Sequence, residues 1–358
     1  MRSKIYLSDE GFGHIVRQRA VIEELKIQCP SLEIQVQTEV HQEAAKRFIT
    51  GVEHIKKYNN ITWYKLPNGS PDVDTINKNY KDYTARASKF IDEEMLDVKA
   101  DFIISDFVYE AFDVAARLNI PSFGVAHFTW DWFFSKLYPP PLERDLVYRF
   151  IEQAKTARHL YFPPFTPEEI VSFYGKKAIE VPLIMRKEID HKVSEGEKRF
   201  KVLIIDSGSG VLADSIKRAL QSVAEIDDVV FYVSEKFRGD WKNVVYIPQE
   251  DLIVDYVADM DLVIGRAGFN TISECIGLRT PMLLLGEAMN PEISENILML
   301  KKSHLASFIS LKTFEEELGQ FLPAFIQHEY VFIRASIQNH EIETNGAEVI
   351  ARDILNNL

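Results

Sequence analysis

Short runs of apolar residues alternate along this chain with longer segments in which apolar residues recur at helical spacing. The apolar runs predict β-strands over residues 4–8, 33–38, 61–65, 102–105, 121–125, 201–206, 229–233, 244–247, 262–264, 281–285 and 306–309. The intervening segments predict helices over residues 15–28, 41–50, 77–98, 109–118, 147–160, 313–327 and 347–355, with others beginning after residues 210, 270 and 291. Strands that alternate with helices in this way are typical of the α/β class, with parallel strands joined by helical crossovers.

The pattern occurs twice, and each half opens with a strand and a glycine-containing loop. A chain of 358 residues is too long to form a single typical hydrophobic core, so two domains are expected. We predict one domain over residues 1–185, a second over 195–340, and a helix within 341–358 that packs back on the first. A proline-containing stretch at 162–182, predicted to be irregular, and a charged stretch at 186–199 mark the boundary.

The composition describes an ordinary globular protein, with 46% hydrophobic and 27% charged residues. A formal net charge of −13 without a basic run argues against a nucleic-acid partner and disfavours contact with an anionic membrane, except through a local basic patch. Neither a signal peptide nor an apolar run of membrane-spanning length is evident, so we expect a cytoplasmic protein. Cys29 and Cys275 are the only cysteines and are expected to be unpaired thiols.

The stretch from residue 259 to 286 predicts a strand, a Gly-Arg-Ala-Gly turn, a helix ended by Gly277, and a second buried strand. The N–H groups at such a helix start form an anion site, and Asn270 or Thr271 is placed to cap the helix. Arg266 is suited to a phosphate, and Glu274, in the first turn, to a ribose. The stretch therefore indicates a diphosphate-and-ribose cradle, or else an ordinary βαβ unit with a glycine turn.

A second strand, glycine loop and helix open the chain, with Gly11, Gly13 and His14 at the helix start. The glycines let the backbone approach a ligand, and His14 is a candidate general base, or else a surface or capping histidine. Asp106 follows a predicted strand, where open α/β sheets bind ligands, although it could equally cap the next helix.

Three further segments offer polar or aromatic groups at strand ends. Gly208 and Ser209 belong to a Ser-Gly-Ser-Gly loop that leads into a helix and offers N–H donors to a phosphate or a sugar. His127, Trp130 and Asp131 lie in an aromatic segment that forms either an acceptor-binding wall or the packed underside of a helix. A third loop, at residues 286–291, offers polar groups for sugar hydroxyls and leads into a helix that contains Glu295 and Asn296.

The segment IGRAGFNTISECIGLRTPMLLL resembles the nucleotide-binding segment of the MurG-like glycosyltransferases, which have the GT-B fold. That fold consists of two Rossmann-like domains facing each other across a cleft. The resemblance implies that Gly268, Asn270 and Thr271 lie against a diphosphate and that Glu274 binds the ribose. PEISEN is similar to the family's Gln-x-x-Asn region, and this resemblance implies that Glu295 and Asn296 face the donor sugar. The Gln of the family's pattern is absent here.

Three other segments resemble the glycosyltransferase-like region that precedes the kinase of plant L-arabinokinases, namely GFGHIVRQRAVIEEL, GVAHFTWDWFF and NGAEVIA. Together the motifs span nearly the whole chain, and the kinase half is absent from it. These resemblances imply a two-domain glycosyltransferase rather than a sugar kinase.

The predicted function is transfer of a hexosyl or N-acetylhexosaminyl group from a nucleotide-sugar donor, UDP-linked, to an acceptor that the sequence does not identify. His14 would be the base, or else a donor to the phosphates, with Asp106 as its partner. Arg266 and the helix start at Asn270-Thr271 would stabilise the leaving diphosphate. No metal and no cofactor beyond the nucleotide-sugar co-substrate is expected, and attack opposite the leaving group would invert the anomeric centre. The alternatives are a sugar-nucleotide hydrolase or epimerase, or a non-catalytic sugar-nucleotide-binding module.

Overall fold

The computed structural model describes residues 1–9, 13–57, 65–66, 71–137, 144–187, 191–193, 196–206, 212–249, 251–287 and 290–358. The chain forms two compact units, one made of Met1–Arg186 and Glu343–Leu358 and the other of Lys187–Ile342. Each unit contains a wholly parallel sheet with helices between its strands, which confirms the predicted α/β class and the two Rossmann-like domains. In the described part of the chain, no helix is both long and apolar enough to cross a membrane.

The N-terminal unit is built on a seven-stranded sheet in the order β3-β2-β1-β4-β5-β6-β7. Its strands are β1 (Arg2–Leu7), β2 (Glu33–Gln37), β3 (Glu53–Ile55), β4 (Phe102–Asp106), β5 (Ser122–Val125), β6 (His159–Phe162) and β7 (Ala178–Glu180). Alternate residues of the central strands enter different apolar clusters, with Ile5 and Ile104 in one and Tyr6 and Ile103 in another. Both faces of the sheet are therefore covered, which explains why the central strands are almost continuously apolar.

Seven α-helices of the described residues belong to the N-terminal half of the chain. They are α1 (Gly13–Gln28), α2 (Gln42–Phe48), α3 (Val73–Asp97), α4 (Glu110–Leu118), α5 (Trp130–Ser135), α6 (Arg144–Thr156) and α7 (Glu168–Tyr174). Helix α3 begins four residues before its predicted start because Asp72 caps it, accepting hydrogen bonds from the N–H and the hydroxyl of Thr75 at 3.0 and 2.7 Å.

Three strands of this unit were not predicted, and one predicted strand lies mostly outside the described residues. The third strand was predicted at residues 61–65, of which 61–64 lie outside the described residues, whereas the strand that pairs with β2 is Glu53–Ile55. Strand β6 begins inside the predicted helix over 147–160, and β7 lies in the stretch predicted to be irregular. Strands β3 and β7 are three-residue edge strands with polar residues, so neither has an apolar run that would mark it.

The C-terminal unit has a six-stranded sheet in the order β10-β9-β8-β11-β12-β13. Its strands are β8 (Phe200–Ile204), β9 (Val229–Ser234), β10 (Val244–Ile247), β11 (Leu262–Arg266), β12 (Met282–Leu285) and β13 (Ser307–Ile309). All six coincide with predicted strands to within two residues at each end. In both sheets the first strand of the unit lies inside the sheet, and the later strands are added first on one side of it and then on the other. Open α/β sheets bind ligands at the point where the strand order switches in this way.

The remaining helices are α8 (Ala213–Ser222), α9 (Phe269–Gly277), α10 (Pro291–Ser303), α11 (Leu318–His328), α12 (Tyr330–Gln338) and α13 (Gly346–Asn356). The predicted helix over 313–327 begins with a π-helical turn, and α12 follows it without having been predicted. Helix α13 packs on α1 in the N-terminal unit, with Ile350 and Ile354 in the same cluster as Val21. Gly346 permits this, because a Cβ there would lie 2.1 Å from the carbonyl oxygen of Pro182.

Candidate functional site

A buried polar cluster lies at the carboxyl ends of β1 and β4 in the N-terminal unit. The two strands pair in parallel with Leu7 opposite Asp106, so Asp106 is the last residue of its strand beside the start of α1. His14, Arg17 and Gln18 are three and four residues apart along α1 and therefore share one face of that helix. All three side chains point at Asp106, which brings together the predicted pair of His14 and Asp106.

The Asp106 carboxylate is completely buried and accepts hydrogen bonds on both oxygens. Its Oδ1 lies 2.7 Å from His14 Nδ1 and 2.5 Å from Arg17 Nη2. Its Oδ2 accepts from Arg17 Nε at 3.0 Å and from Gln18 Nε2 at 2.9 Å. The guanidinium thus binds the carboxylate with two parallel bonds, the geometry that holds both groups most rigidly.

Burial alone would raise the pKa of Asp106, but the Arg17 guanidinium and the His14 ring hold it well below the usual range of an aspartate. The carboxylate therefore stays ionised at every pH at which the protein would work. The capping alternative considered for Asp106 is not what its side chain does, because each of its hydrogen bonds goes to a residue of α1.

Arg17 and Gln18 are site residues that the sequence interpretation missed. Arg17 is 3% exposed and Gln18 is completely buried, although both belong to a helix whose polar residues would ordinarily face solvent. Their spacing could have identified them, because residues three or four positions after the candidate histidine lie on the same face of the helix.

His127 joins this cluster through Arg17, whose Nη1 lies 3.3 Å from His127 Nδ1. The ring of Phe107 lies against both histidines, with centroid distances of 5.5 Å to His14 and 5.8 Å to His127, and the Arg17 guanidinium stands 5.7 Å from its centre. Phe107 has a φ of 62°, a left-handed conformation that is strained for a bulky residue. No sequence pattern indicated this residue.

Trp130 and Asp131 lie outside the cluster, although they follow His127 closely in sequence. Trp130 donates its Nε1–H to the carbonyl of Phe107 at 3.1 Å and packs among the rings of a large aromatic core. Asp131 is 8% exposed and accepts a hydrogen bond from the Tyr174 hydroxyl at 2.8 Å, and burial raises the pKa of Asp131. These contacts favour the packed-underside interpretation of the aromatic segment.

The predicted glycine positions are only partly described. Gly13 is the first residue of α1, which places the backbone of the helix start beside the polar cluster. Gly11, Gly208 and Ser209 lie outside the described residues.

In the C-terminal unit, β11 ends at Arg266, and α9 begins three residues later at Phe269. The N-cap is Gly268, so the prediction that Asn270 or Thr271 caps the helix is wrong. Gly268 has the extended conformation of an N-cap residue, but it has no side chain that could accept a hydrogen bond from the first turn. Asn270 and Thr271 instead occupy the first turn, partly exposed, and the helix ends at Gly277 as predicted.

Glu274 lies in the second turn of α9 rather than in the first, because the helix starts earlier than predicted. It is 4% exposed. Burial lowers the pKa of Arg266, and the charges of Glu292 and Asp206 act in the opposite direction. The guanidinium at the end of β11 is therefore partly desolvated and has two carboxylates in its electrostatic surroundings.

Two side chains from the N-terminal half of α10 contact the turn between β11 and α9. Asn296 is 2% exposed and donates its Nδ2–H to the carbonyl of Ala267 at 2.8 Å. A carboxylate oxygen of Glu292 lies 3.4 Å from the backbone N–H of Phe269, at the positive end of α9. Glu295 is partly exposed and belongs to the same helix. The helix start thus attracts an acidic group from within the chain, which is the behaviour expected of an anion site.

Among the described residues, no three His, Cys, Asp or Glu side chains are grouped so that they could hold a metal ion.

Two of the relatives found by comparison with known proteins illustrate how much of the chain they match. The chain is 27% identical over 172 residues to the UDP-N-acetylglucosamine--N-acetylmuramyl-(pentapeptide) pyrophosphoryl-undecaprenol N-acetylglucosamine transferase of Geobacillus thermodenitrificans, covering 43% of this chain and 48% of that protein. It is 24% identical over 197 residues to L-arabinokinase of Arabidopsis thaliana, covering 52% of this chain and 18% of that protein. The chain therefore spans about half of the first relative and less than a fifth of the second.

Solved structures of other proteins share the fold of this chain over its whole length. MurG of Acinetobacter baumannii superposes with a TM-score of 0.60 at 12% identity, covering 100% of this chain and 99% of that one. A UDP-N-acetylglucosamine 2-epimerase gives a TM-score of 0.64 at 12% identity, covering 100% and 96%. At such identities the likeness shows the fold, which transferases and an epimerase share.

The resemblances to the MurG-like transferases and to the arabinokinase region are confirmed by these matches. A family model described as glycosyl transferase family 1 matches residues 4–325. Because that match extends over most of both units, this chain belongs to glycosyl transferase family 1.

Proposed function

We propose that this protein transfers a sugar from a nucleotide-sugar donor to a hydroxyl group of an acceptor. The observation that carries the proposal is the contact between His14 Nδ1 and the buried Asp106 carboxylate at 2.7 Å. This contact directs Nδ1 of His14 to the carboxylate. The other ring nitrogen, Nε2, is then available to a substrate, on a side chain that is 14% exposed. A histidine held in this way has the geometry of a general base.

In the proposed reaction the acceptor oxygen attacks the anomeric carbon of the donor sugar. His14 Nε2 takes the hydroxyl proton as the new C–O bond forms. The bond from the anomeric carbon to the diphosphate breaks, and the nucleoside diphosphate leaves with the electron pair. Asp106 orients the ring and stabilises the positive charge that develops on it. Attack from the face opposite the leaving group inverts the anomeric centre.

The C-terminal unit would bind the nucleotide. The N–H groups at the start of α9 and the Arg266 guanidinium would stabilise the negative charge of the diphosphate, with Gly268 leaving space for close approach. Among the described residues, nothing lies within 4 Å of a Cβ built on Gly268. Glu274 would accept hydrogen bonds from the ribose. This arrangement neutralises the leaving group without a metal, so we propose that none is required.

The donor is proposed to be UDP-linked, with UDP-N-acetylglucosamine as the first compound to test. This choice is supported by the name of the Geobacillus relative, which specifies that donor. The acceptor is proposed only as a compound with a free hydroxyl group.

The proposal is tested first by calorimetric titration with UDP-, GDP- and dTDP-sugars. We expect one nucleotide to bind selectively, and Glu274→Ala to abolish that binding because the ribose loses its partner. Glu329→Ala, on an exposed residue of the same unit, serves as the matched control and should bind like the wild type. Absence of binding to every nucleotide, with the protein folded, would overturn the proposal.

Turnover of the selected donor is then measured with and without an acceptor panel. We expect His14→Ala to lower kcat by about 10²- to 10⁴-fold, with the affinity for the nucleotide unchanged, because only the base is lost. Addition of EDTA should leave the rate unchanged. Release of free sugar without an acceptor would indicate a hydrolase, and an isomerised donor would indicate an epimerase. Binding without turnover, insensitive to His14→Ala, would indicate a non-catalytic module.

A further inference from the structure

Arg17 contacts both histidines of the polar cluster, His14 and His127, as well as Asp106. It donates to Asp106 through Nε and Nη2, and its Nη2 and Nη1 lie 3.1 and 3.3 Å from the Nδ1 atoms of His14 and His127. A guanidinium has only donors and an ionised carboxylate has only acceptors. These one-sided partners determine which ring nitrogen of each histidine carries the proton.

At His14, two contacts compete for the same nitrogen. Nδ1 lies 2.7 Å from the Asp106 oxygen, an acceptor, and 3.1 Å from Arg17 Nη2, a donor. Nη2 itself lies 2.5 Å from the same carboxylate oxygen. Both shorter contacts end on a charged acceptor, and charge-assisted bonds are roughly twice as strong as neutral ones. The proton of His14 therefore lies on Nδ1, and Nε2 carries the lone pair.

At His127 the situation is reversed. Its Nδ1 faces Arg17 Nη1, which can only donate, so Nδ1 is the acceptor and the neutral ring carries its proton on Nε2. His127 is 7% exposed and packs edge-on against Phe107, which also contacts His14. The strained backbone of Phe107 keeps this shared aromatic surface between the two rings and under the guanidinium.

From this geometry we infer that Asp106 and Arg17 fix His14 and His127 in opposite neutral tautomers, with Asp106 acting on His14 and Arg17 acting as the positioning residue for His127. One ring presents an acceptor at Nε2 and the other presents a donor. This pairing suits a hydroxyl group, which donates its proton to a base while its oxygen accepts from a neighbouring donor. The assignment of that hydroxyl to a sugar acceptor rests on the proposed function, but the tautomers themselves do not.

The test is a long-range ¹H–¹⁵N correlation spectrum of protein labelled with ¹⁵N-histidine, recorded at about pH 9, where an ordinary imidazole is neutral. The two rings are identified with His14→Gln and His127→Gln. The protein supplies its own references for both tautomers. His54 directs Nε2 at the carbonyl of Ile49 at 2.8 Å, and His159 directs Nδ1 at the Asp353 carboxylate at 2.6 Å.

We expect the nitrogen shifts of His14 to resemble those of His159, and those of His127 to resemble those of His54. In Arg17→Met, the nitrogen shifts of His127 should move away from those of His54, because the donor that faces its Nδ1 is gone. Arg19→Met is the matched control, since Arg19 lies on the same helix and bonds Glu23 at 2.6 Å rather than a histidine among the described residues, and it should leave both rings unchanged. Arg17→Lys, which keeps the charge, provides the same comparison if Arg17→Met does not fold.

The inference is overturned if wild-type His127 carries its proton on Nδ1, if both rings share one tautomer, or if Arg17→Met leaves both unchanged. Because the spectra need no substrate, failure of the transferase proposal would not alter them. If the protein does transfer a sugar, His127→Gln, which can place a donor near Nε2, should retain about tenfold more kcat/KM than His127→Asn, which cannot reach that position. Equal activity of the two variants would remove the donor role of His127.

Discussion

Two buried carboxylates of the N-terminal unit, Glu94 and Asp106, have similar burial and similar charge but different partners. Glu94 is completely buried in α3 and accepts from Lys4 Nζ, Lys57 Nζ and the Tyr6 hydroxyl, each at 2.6 Å. Burial alone would raise the pKa of Glu94, but its lysine and tyrosine partners lower it. Burial and ion pairing are therefore common to both clusters and do not distinguish a site from a structural element.

The difference lies in the partners and in their position. Every partner of Glu94 is a donor that stays protonated near neutral pH, so the cluster has no group that could exchange a proton with a substrate. Asp106 has His14, whose ring nitrogens are chemically distinct and whose side chain reaches the surface. Asp106 also ends its strand, whereas Lys4 and Tyr6 lie within β1. A buried ion pair indicates function here only where it holds a titratable ring at a strand end.

The largest expected effect comes from breaking the structural cluster. Glu94→Leu should lower the free energy of unfolding by about 3–5 kcal/mol, because Lys4 is left buried without its counter-charge. Activity per folded molecule should not change, since no residue of the Asp106 cluster loses a contact. Urea unfolding and the rate measured on the folded fraction test both statements.

Glu93→Leu is the control for this prediction, because Glu93 is a half-exposed neighbour on the same helix that pairs with Lys89 at 3.8 Å. Its effect on stability should stay within about 0.5 kcal/mol. A Glu94 variant as stable as the Glu93 variant, or one that lost activity while folded, would contradict the contrast between the two clusters.

A smaller effect separates Asp106 from Glu110, which lies only four residues later. Glu110 is 3% exposed and accepts from the Tyr83 hydroxyl at 2.6 Å, and burial raises its pKa. The raised pKa means that Glu110 favours the folded state below its unfolded pKa of about 4.3, and that this contribution is lost as pH rises through the folded value. For Asp106 the pKa is lowered, so its contribution is present above about pH 4 and is lost as pH falls further.

Stability measured by denaturant unfolding from acidic to neutral pH tests these opposite signs. Glu110→Gln keeps an acceptor for Tyr83 and should become progressively more stable than the wild type as pH rises above about 4. Asp106→Asn should be less stable than the wild type at neutral pH and approach it only in strong acid. Parallel curves for the two variants would show that the environments of the two carboxylates do not differ as described.

The sequence predicted the fold of the second unit better than that of the first. Its strands are apolar runs bounded by turn residues, and each one coincides with an observed strand. In the first unit the edge strands β3 and β7 are short and polar, so their position depends on pairing with a neighbour rather than on their own residues. Strand β6 follows directly from a helix whose pattern continues into it.

The site was predictable where a residue type and a strand end coincide, as for His14 and Asp106. Arg17 and Gln18 were missed because polar residues of an amphipathic helix are usually solvated, and only the tertiary structure shows that this polar face is buried. Trp130 and Asp131 were placed among candidates because an aromatic segment has the same composition in a core and in a binding wall. The capping of α9 by Gly268 could not be predicted, since a glycine cap contributes no side chain that marks the position.

The smallest predicted effect is a difference of about 1 kcal/mol between two variants of Phe107, whose left-handed backbone is strained. Phe107→Ala and Phe107→Gly both remove the ring, and both should be less stable than the wild type by about 3–5 kcal/mol. Glycine adopts a φ of 62° without the steric cost that alanine retains, so Phe107→Gly should be the more stable of the two by about 1 kcal/mol.

Phe112, which is 2% exposed and lies in the first turn of α4, provides the reverse comparison for that prediction. There the glycine variant should be less stable than the alanine variant by about 1 kcal/mol, because glycine is the poorer residue in a helix. Chemical unfolding of the four variants gives both differences. The opposite order at the two positions would establish that the chain holds Phe107 in a conformation that its own side chain disfavours. Since this residue directly follows Asp106 and lies against both histidines, that strain acts where the proposed base is positioned. The same order at both positions would remove strain from the account of the site and leave the Phe107 ring as its only contribution.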